Sequence, residues 1–251
     1  MIRILPIGSG STGNCMVVRM GAHTFLIDIG VSWTACRTAM ADCEIAPDDI
    51  EAVFITHTHS DHIRGLAVTA KHLDVPYYAS GRTRDRIGKA YMRRLRWNEP
   101  TEVLPGLTVT AFETSHDCPG SCGFVFEAGG EKLGYATDLG TVTPHIHELL
   151  TGARTVVIEA NHDVEMLRNG PYPYPLQQRI LSEHGHLSND QCAAECAALA
   201  EQGTVHFLLA HLSRENNTPA CALAAVGAAL AGTHADHIAL PVRGDEMITL
   251  E

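Results

Sequence analysis

Basic side chains are scarce in this sequence. Lys and Arg number 18 against 29 Asp and Glu, which gives a formal net charge of −11. This balance argues against a broad basic face that grips nucleic acid regardless of its sequence. The charged fraction is 19% and apolar residues make up 45%, so the composition also excludes a disordered chain and allows a sizeable core.

Long apolar runs are lacking as well. No stretch reaches the ~20 apolar residues that a membrane-spanning helix needs. The opening MIRILPIGSGSTGN has too short an apolar part for a signal peptide and no clear cleavage site. We therefore expect a cytoplasmic protein with no membrane partner, folded as a single domain over residues 1–251. In that setting the eight cysteines favour reduced thiols over a disulfide framework.

Strand patterns and helix patterns recur along the chain in two β-rich halves. Strands are predicted at IRILPI, CMVVRM, TFLIDIG, AVFIT, PYYAS, LTVTAFETSH, CGFVFEA, EKLGYA, TVVIEAN and TVHFLLAHLS, and around HIALP and EMITLE. Helices are predicted at VSWTACRTAMADC, HIRGLAVTAKHL, RTRDRIGKAYMRRL, SNDQCAAECAALAEQG and TPACALAAVGAAL. Residues 161–186 are Pro-rich at their centre and predict an irregular, substrate-facing loop. This order indicates an α/β fold with two packed sheets and outer helices.

One glycine-rich segment imitates a dinucleotide-binding site. GSGSTG, from Gly8 to Gly13, matches the fingerprint G-x-G-x-x-G, and Asp28 follows at a suitable distance. The fingerprint needs a helix after its last glycine, whereas NCMVVRM here has a strand pattern. We reject a dinucleotide site and expect the glycines to bring a tight turn close to the active centre. Ser9 and Asn14 are candidate donors to a substrate phosphate.

A dense group of metal-ligand side chains follows the buried strand AVFIT. The segment HTHSDH places His57, His59, Asp61 and His62 within six positions. Side chains alternate along an extended segment, so His57 and His59 point to one side, while Asp61 and His62 begin the next helix. Three imidazoles and a carboxylate so close together carry a cost in desolvation and repulsion unless a cation offsets it. The pattern predicts a metal site.

Further ligand candidates stand at the ends of other predicted strands. His116, Asp138 and His211 each follow one, so one edge of the fold would present all of them together with the cluster. Seven candidates exceed the needs of one ion. Imidazole and carboxylate ligands without thiolate suit zinc, manganese or iron.

In this order and company, the residues resemble the metallo-β-lactamase fold superfamily. The resemblance covers nearly the full chain and includes LIDIG at residues 26–30. It implies a four-layer αββα sandwich with metals at one edge of its two sheets, and it implies that Asp28 supports the ligand loops. By the same resemblance, His57, His59 and His116 hold the first metal, Asp61, His62 and His211 hold the second, and Asp138 bridges both.

A finer similarity is to the YycJ (also called WalJ) branch, which is related to nuclease and phosphodiesterase members. It rests on GSGSTGN, IEANHD, GHLSND and HLSRENN. The resemblance implies a dyad of Glu159 and His186 near the leaving group, with His184 as an alternative to His186.

The function predicted from residues and resemblance together is that of a two-metal hydrolase acting on a phosphodiester. Asp61, Glu159 and His186 are the predicted catalytic residues, and DNA ends are the predicted substrate. Two alternatives stay open at this point. One is hydrolysis of a small phosphodiester or a thioester on the same fold, and the other is a metal-dependent regulatory protein without turnover.

Seven basic residues are concentrated between Arg82 and Arg96. This segment is interpreted either as a solvated helix face or as a phosphate-facing surface beside the site.

Overall fold

The computed structural model describes residues 1–88, 91–233, 238–241 and 247–250. The strands in these ranges are β1 (Ile2–Gly8), β2 (Cys15–Met20), β3 (His23–Ile27), β4 (Ala52–Ile55), β5 (Tyr77–Ser80), β6 (Met92–Leu95), β7 (Thr101–Leu104), β8 (Leu107–Glu113), β9 (Cys122–Ala128), β10 (Glu131–Ala136), β11 (Thr155–Glu159), β12 (His206–Ala210), β13 (Ile238–Pro241) and β14 (Ile248–Leu250). The helices are α1 (Trp33–Asp42), α2 (Ser60–Ile63), α3 (Leu66–Thr69), α4 (Gly81–Ile87), α5 (Pro144–Leu150), α6 (Val164–Asn169), α7 (Tyr174–Ile180), α8 (Asn189–Glu201) and α9 (Pro219–Leu230).

The strands form two seven-stranded sheets. Their orders are β14-β1-β2-β3-β4-β5-β6 and β13-β12-β11-β10-β9-β8-β7. Strands β3 to β6 are parallel, and so are β10 to β13. Parallel neighbours need crossover connections, which the helices supply. The loops after the carboxyl ends of such strands are where α/β folds place their sites.

Apolar side chains from both sheets meet in a central layer. Phe25 and Phe54 of the first sheet contact Phe126 of the second, with ring centroids 4.6 and 5.0 Å apart. All three are fully buried. Buried aromatic pairs of this kind add packing energy to the area that they remove from water. The contact fixes how one sheet lies on the other.

Helices cover the outer face of each sheet. Met40 of α1 belongs to the apolar cluster on the first sheet, while Leu199 of α8 and Val226 of α9 belong to the cluster on the second. Helix α8 begins at a capping box: the Ser188 hydroxyl accepts from the amide of Gln191 at 3.2 Å, and the Gln191 side chain accepts from the amide of Ser188 at 2.9 Å. The predicted αββα order of layers is confirmed.

Three predicted elements differ from the structure. The helix expected over RTRDRIGKAYMRRL is wrong, because α4 ends at Gly88 in the left-handed conformation (φ 63°) and residues 92–95 form β6 beside β5. The helix expected over HIRGLAVTAKHL is divided at Gly65, whose added Cβ would lie 1.9 Å from the Val31 carbonyl oxygen. The loop expected at 161–186 contains two short helices, α6 and α7. Helix α5 and strand β7 were not predicted.

Among the residues described, no helix combines the length and the apolar character that crossing a membrane requires.

Candidate metal centre

The predicted ligands follow strand ends. His57 and His59 follow β4, Asp138 lies two residues after β10, and His211 comes directly after β12. Asp138 and His211 have φ values of 55° and 57°. Residues other than glycine rarely adopt this left-handed conformation, and it is concentrated at functional sites. The backbone turns there so that both side chains enter the same space.

The structure brings the seven predicted ligands together. Their candidate ligand atoms form groups within which all atoms lie within 4.8 Å of one another. These groups include His57 with His59 and His116, Asp61 with His62 and His211, and Asp138 with His57 and His62. The first two match the two ligand sets implied by the resemblance. Asp138 lies between them, with its Oδ1 3.7 Å from Nε2 of His116 and 3.6 Å from Nε2 of His211.

Unpartnered buried atoms show that this cluster fits a cation. His57 Nε2, His211 Nε2 and Asp138 Oδ2 are buried and have no hydrogen-bond partner among the described residues. Buried polar atoms are seldom left unpaired in native proteins. All three atoms belong to the ligand cluster, where divalent metal ions would satisfy them.

Asp28 supports two of the ligands from behind. It is fully buried and accepts from the Thr56 amide, the Thr56 hydroxyl and His62 Nδ1, each at 2.8 Å. The Thr56 hydroxyl also contacts His57 Nδ1 at 3.0 Å. With Nδ1 held in this way, the Nε2 atom of each imidazole faces the cluster. Such outer contacts fix the orientation of metal-binding histidines. The role of Asp28 implied by the resemblance agrees with these contacts.

Protonation differs between the two ligand groups. Burial lowers the pKa of His57, His59 and His116, so these imidazoles are neutral and available as ligands. Burial acts in the same sense on His211, but the carboxylates of Asp138, Asp61 and Glu159 outweigh it and hold its pKa well above the usual range. Those carboxylates would attract a metal cation as they attract a proton, so the two compete for His211.

Glu159 joins the predicted general acid to a metal-ligand candidate. Its Oε1 accepts from Nδ1 of His186 at 2.8 Å and from Nδ1 of His211 at 2.7 Å. Its Oε2 accepts from the backbone amides of Leu139 and Leu187, both at 3.0 Å. Burial opposes its charge, but the contacts with His186 and His211 prevail and lower the pKa of Glu159 to about 2. The sequence predicted the Glu159–His186 pair but not the second contact with His211.

The ligand cluster opens into a cleft of about 250 Å³. His186 and His184 both line it, together with Asp61 and Asp138. The His184 side chain is exposed, whereas His186 is half-buried and held by Glu159. This geometry favours His186 over His184 as the residue with a fixed position beside the cluster.

The glycine-rich turn has a different role from the one expected of its polar side chains. Asn14 is buried, and its amide nitrogen donates to Asp61 Oδ2 at 3.2 Å and contacts His62 Nε2 at 2.9 Å. The Ser9 hydroxyl accepts from the His211 amide at 2.8 Å. Both side chains therefore hold ligand residues, and it is Ser11 that lines the cleft. The predicted close approach of the turn to the centre is confirmed.

Two cleft residues were missed by the sequence reasoning. Asp117 Oδ1 lies 3.5 Å from Nε2 of His116 and 3.7 Å from Nε2 of His59, and its Oδ2 pairs with the guanidinium of Arg179. Asp117 directly follows a predicted ligand, which was a usable signal. Arg179 carried none, since it lies 62 residues further along the chain.

Comparison with known proteins agrees with this geometry. A family model described as a beta-lactamase superfamily domain matches residues 23–212. The exodeoxyribonuclease YycJ of Bacillus anthracis is 36% identical over 222 residues, covering 84% of this chain and 82% of that protein. The exodeoxyribonuclease WalJ of Streptococcus pneumoniae is 32% identical over 219 residues, covering 84% and 81%.

Among solved structures, Zn²⁺-bound PqqB from Methylobacterium extorquens superposes with a TM-score of 0.72 at 18% identity, over 99% of this chain and all of that one. A likeness at this level of identity supports the fold.

Proposed function

The chain belongs to the metallo-β-lactamase superfamily of metal-dependent hydrolases and to its YycJ/WalJ branch, and from this premise we propose that it is a binuclear phosphodiesterase that removes nucleotides from DNA ends. The observation that carries the proposal is the His186 imidazole, held by buried Glu159 at the wall of a cleft that also exposes the ligand cluster. Hydrolysis of a phosphodiester requires both a cationic centre and a proton donor for the leaving oxygen.

We assign the two metals to the two ligand groups, with Asp138 shared between them. The His57 group offers three imidazoles, and the His62 group offers two imidazoles and the Asp61 carboxylate. Zinc, manganese and iron suit this set. When bound, the cations would lower the pKa of the attacking water and balance the negative charge that develops on the phosphate.

The chain's own residues supply orientation and proton transfer. Asp61 Oδ2 lies 3.5 Å from His62 Nε2, and its carboxylate accepts a hydrogen bond from the attacking water and orients it. Glu159 accepts from His186 Nδ1, so the His186 proton for the leaving oxygen is carried on Nε2. Because the pKa of Glu159 is low, its carboxylate stays charged and stabilises the protonated imidazole.

We place the polynucleotide along the basic residues that the structure describes in the segment 82–96; Lys89 lies outside the described residues. Arg82 is exposed, as is Arg94 on β6, and among the described residues neither guanidinium has an ion-pair partner. Arg86 Nη1 reaches Cys118 Sγ at 3.7 Å, two residues beyond His116, which connects the segment to the centre. The charge of this surface supports DNA as the substrate despite the acidic composition.

A cytoplasmic location is supported by the eight free cysteines.

The test is a time course with manganese on end-labelled DNA and on RNA of the same sequence. We expect stepwise loss of nucleotides from DNA ends, and we expect Asp61→Ala to abolish it. Bis-p-nitrophenyl phosphate and a thioester run in parallel address the two other hydrolase reactions. Robust cleavage of bis-p-nitrophenyl phosphate or of the thioester, with no attack on any polynucleotide, would refute the proposal. If the metal-loaded chain turned over none of these substrates, a regulatory protein would be favoured.

A further inference from the structure

One side of the cleft is formed by a helical segment that the reaction described above does not use. This segment, called the strap here, comprises residues 164–180 and contains α6 and α7. Tyr172, Leu176 and Arg179 of the strap line the cleft. Among the described residues of the cleft lining, Arg179 is the single Lys or Arg.

The guanidinium of Arg179 already holds an anionic group at the edge of the ligand cluster. Its Nε donates to Asp117 Oδ2 at 2.5 Å, and its Nη2 also contacts that oxygen. The other Asp117 oxygen lies 3.5 Å from His116 Nε2. Arg179 therefore binds the carboxylate of Asp117, which itself adjoins the metal-ligand candidate His116. Since its side chain is 59% exposed, the pair is the weak, exchangeable kind found at surfaces.

The position of the strap does not depend on this ion pair. The amide of His186 donates to the Ile180 carbonyl at 3.0 Å. Gly185 allows that approach, because an added Cβ would lie 2.1 Å from the same Ile180 oxygen. At the other end, the amide of Asp163, the residue before α6, donates to the Asn216 carbonyl at 2.8 Å. These contacts hold both ends of the strap, so the Asp117–Arg179 pair is free to change partner.

We propose that the strap is a nucleotide subsite, in which Arg179 exchanges Asp117 for a substrate phosphate and Tyr172 stacks on the adjoining base. Arginine suits a phosphate because its planar fork donates two parallel hydrogen bonds. An aromatic ring binds any base by stacking. The inference rests on the proposed function and adds a preference for single-stranded ends, because an unpaired base is free to turn its face onto the Tyr172 ring.

The test measures binding of a fluorescein-labelled oligodeoxythymidylate by anisotropy, in a His186→Ala background that slows turnover. Arg179→Ala should raise Kd by about 10- to 100-fold, with partial recovery in Arg179→Lys. Arg168→Ala is the matched control, since Arg168 lies on the same strap, outside the cleft lining, and pairs with Glu165. Metal content is determined for each variant, so that loss of metal is not mistaken for loss of phosphate binding.

Asp117→Asn distinguishes an Arg179 that binds phosphate from an Arg179 whose ion pair with Asp117 only fixes the strap. If Arg179 binds substrate, neutralising Asp117 releases the guanidinium, and Kd should fall or stay the same while Arg179→Ala raises it. Equal weakening by both variants would mean that the ion pair only fixes the strap, and the inference would be wrong. Oligonucleotides with a 5′-phosphate, a 3′-phosphate or neither identify the phosphate that Arg179 binds. If Arg179→Ala raises Kd only for one phosphorylated oligonucleotide, the bound phosphate is the one at that end. If it raises Kd for all three, the bound phosphate is internal.

Tyr172 has its own control on the strap. Tyr172→Ala should weaken binding by about 5- to 100-fold, as expected for loss of one stacked base, and Tyr172→Phe should retain most of the affinity. Tyr174→Ala should have no effect, because Tyr174 is 71% exposed and lies outside the cleft lining. Cleavage of DNA by the parent chain with no change of KM in Arg179→Ala and Tyr172→Ala would overturn the inference alone. Absence of both binding and cleavage of any polynucleotide in the parent chain would overturn the proposed function with it.

Discussion

At the scale of single residues, His186 and His211 share one buried carboxylate but are assigned different tasks. Glu159 holds Nδ1 of both imidazoles. This leaves Nε2 of His186 free for the proposed proton transfer and Nε2 of His211 free for the proposed metal. Removing His186 should therefore affect proton transfer alone, whereas changing Glu159 to Gln should affect proton transfer and metal binding together. The two variants distinguish the acid from its support.

We expect His186→Ala to keep its metals and to lose about 10²- to 10⁴-fold in turnover of DNA, the usual contribution of a general acid. The loss should be smaller on bis-p-nitrophenyl phosphate, because p-nitrophenolate leaves with little need of a proton. Elemental analysis and initial rates on both substrates check this. His184→Ala is the control and should behave as the parent chain. The opposite ranking of the two variants would assign the acid to His184.

Asp28 offers a test of indirect support for the metals. Asp28→Asn replaces an acceptor of three hydrogen bonds with a side chain that must donate some of them. The His62 imidazole would then lose its fixed orientation, and affinity for the ion that it binds should fall about 10- to 100-fold. Elemental analysis under limiting metal should find close to two equivalents in the parent chain and close to one in Asp28→Asn. Two equivalents in both would contradict the role given to Asp28.

His162 should make stability depend on pH. It is buried, neither ring nitrogen has a hydrogen-bond partner among the described residues, and burial lowers its pKa to about 4. Below about pH 6.5 the His162 imidazole binds a proton in the unfolded chain but not in the folded chain. The contribution of His162 to the free energy of unfolding is therefore fully present at neutral pH. It falls as pH drops from about 6.5 towards 4, by up to about 1.4 kcal/mol per pH unit. Urea unfolding at several pH values should show a shallower fall in His162→Phe.

At the scale of elements, the ligand loops are held by close backbone crossings. The Gly30 amide donates to the Asn14 carbonyl, and the Asn14 amide donates to the Asp61 carbonyl, both at 2.7 Å. A Cβ on Gly30 would lie 1.5 Å from that Asp61 oxygen. The glycine of LIDIG is therefore required because the turn after β3 touches the backbone of a metal-ligand candidate.

We expect Gly30→Ala to destabilise the fold by about 3 kcal/mol, since neighbouring backbone must move, and to reduce metal content with it. Gly227→Ala in α9 is the matched substitution. Gly227 is exposed, and an added Cβ there would meet no atom within 4 Å. It should stabilise the chain by about 0.5–1 kcal/mol through higher helix propensity. Thermal unfolding of both variants gives the comparison, and equal effects would show that the crossing is not constrained.

The elements that the sequence predicted well are those with a local signature. The strand before His57 follows from a buried apolar run, and the helix of SNDQCAAECAALAEQG follows from an Ala-rich helical pattern. The ligands could be located because each follows such a strand end. The segment 82–95 was predicted wrongly as one helix because its basic residues are good helix formers. In the structure, Gly88 in the left-handed conformation ends α4, and residues 92–95 pair with β5.

Contacts between distant residues had no such signature. Glu159 meets His211 across 52 residues, and Asp117 meets Arg179 across 62. Nothing in the periodicity of either segment indicates its partner, because the approach depends on how β11 and β12 pair and on where the strap lies. The grouping of the ligand candidates was thus predictable from sequence order, and the contacts that orient them were not.

At the scale of the whole molecule, a chain of net charge −11 is proposed to bind a polyanion. The conflict is resolved by local charge. Arg179 lies in the cleft, Arg86 reaches Cys118 close to His116, and Arg82 and Arg94 line a second surface cavity. We expect a strand end to meet these four cations while the acidic remainder of the surface repels it. Attraction confined to the site favours contact with a few nucleotides and disfavours long duplexes.

The dependence of DNA binding on salt tests this distribution of charge. Each phosphate neutralised on a single strand contributes about −0.7 to the slope of log affinity against log salt. Four contacts predict a slope of about −3, whereas a broad basic face with about ten would give about −7. The double variant Arg82→Ala with Arg94→Ala should reduce the slope to about −1.5. Arg168→Ala should leave the slope unchanged, because Arg168 pairs with Glu165 on the strap. Anisotropy of a labelled oligonucleotide over a range of salt concentrations provides the measurement. A steep slope that the double variant does not alter would place the DNA elsewhere on the molecule.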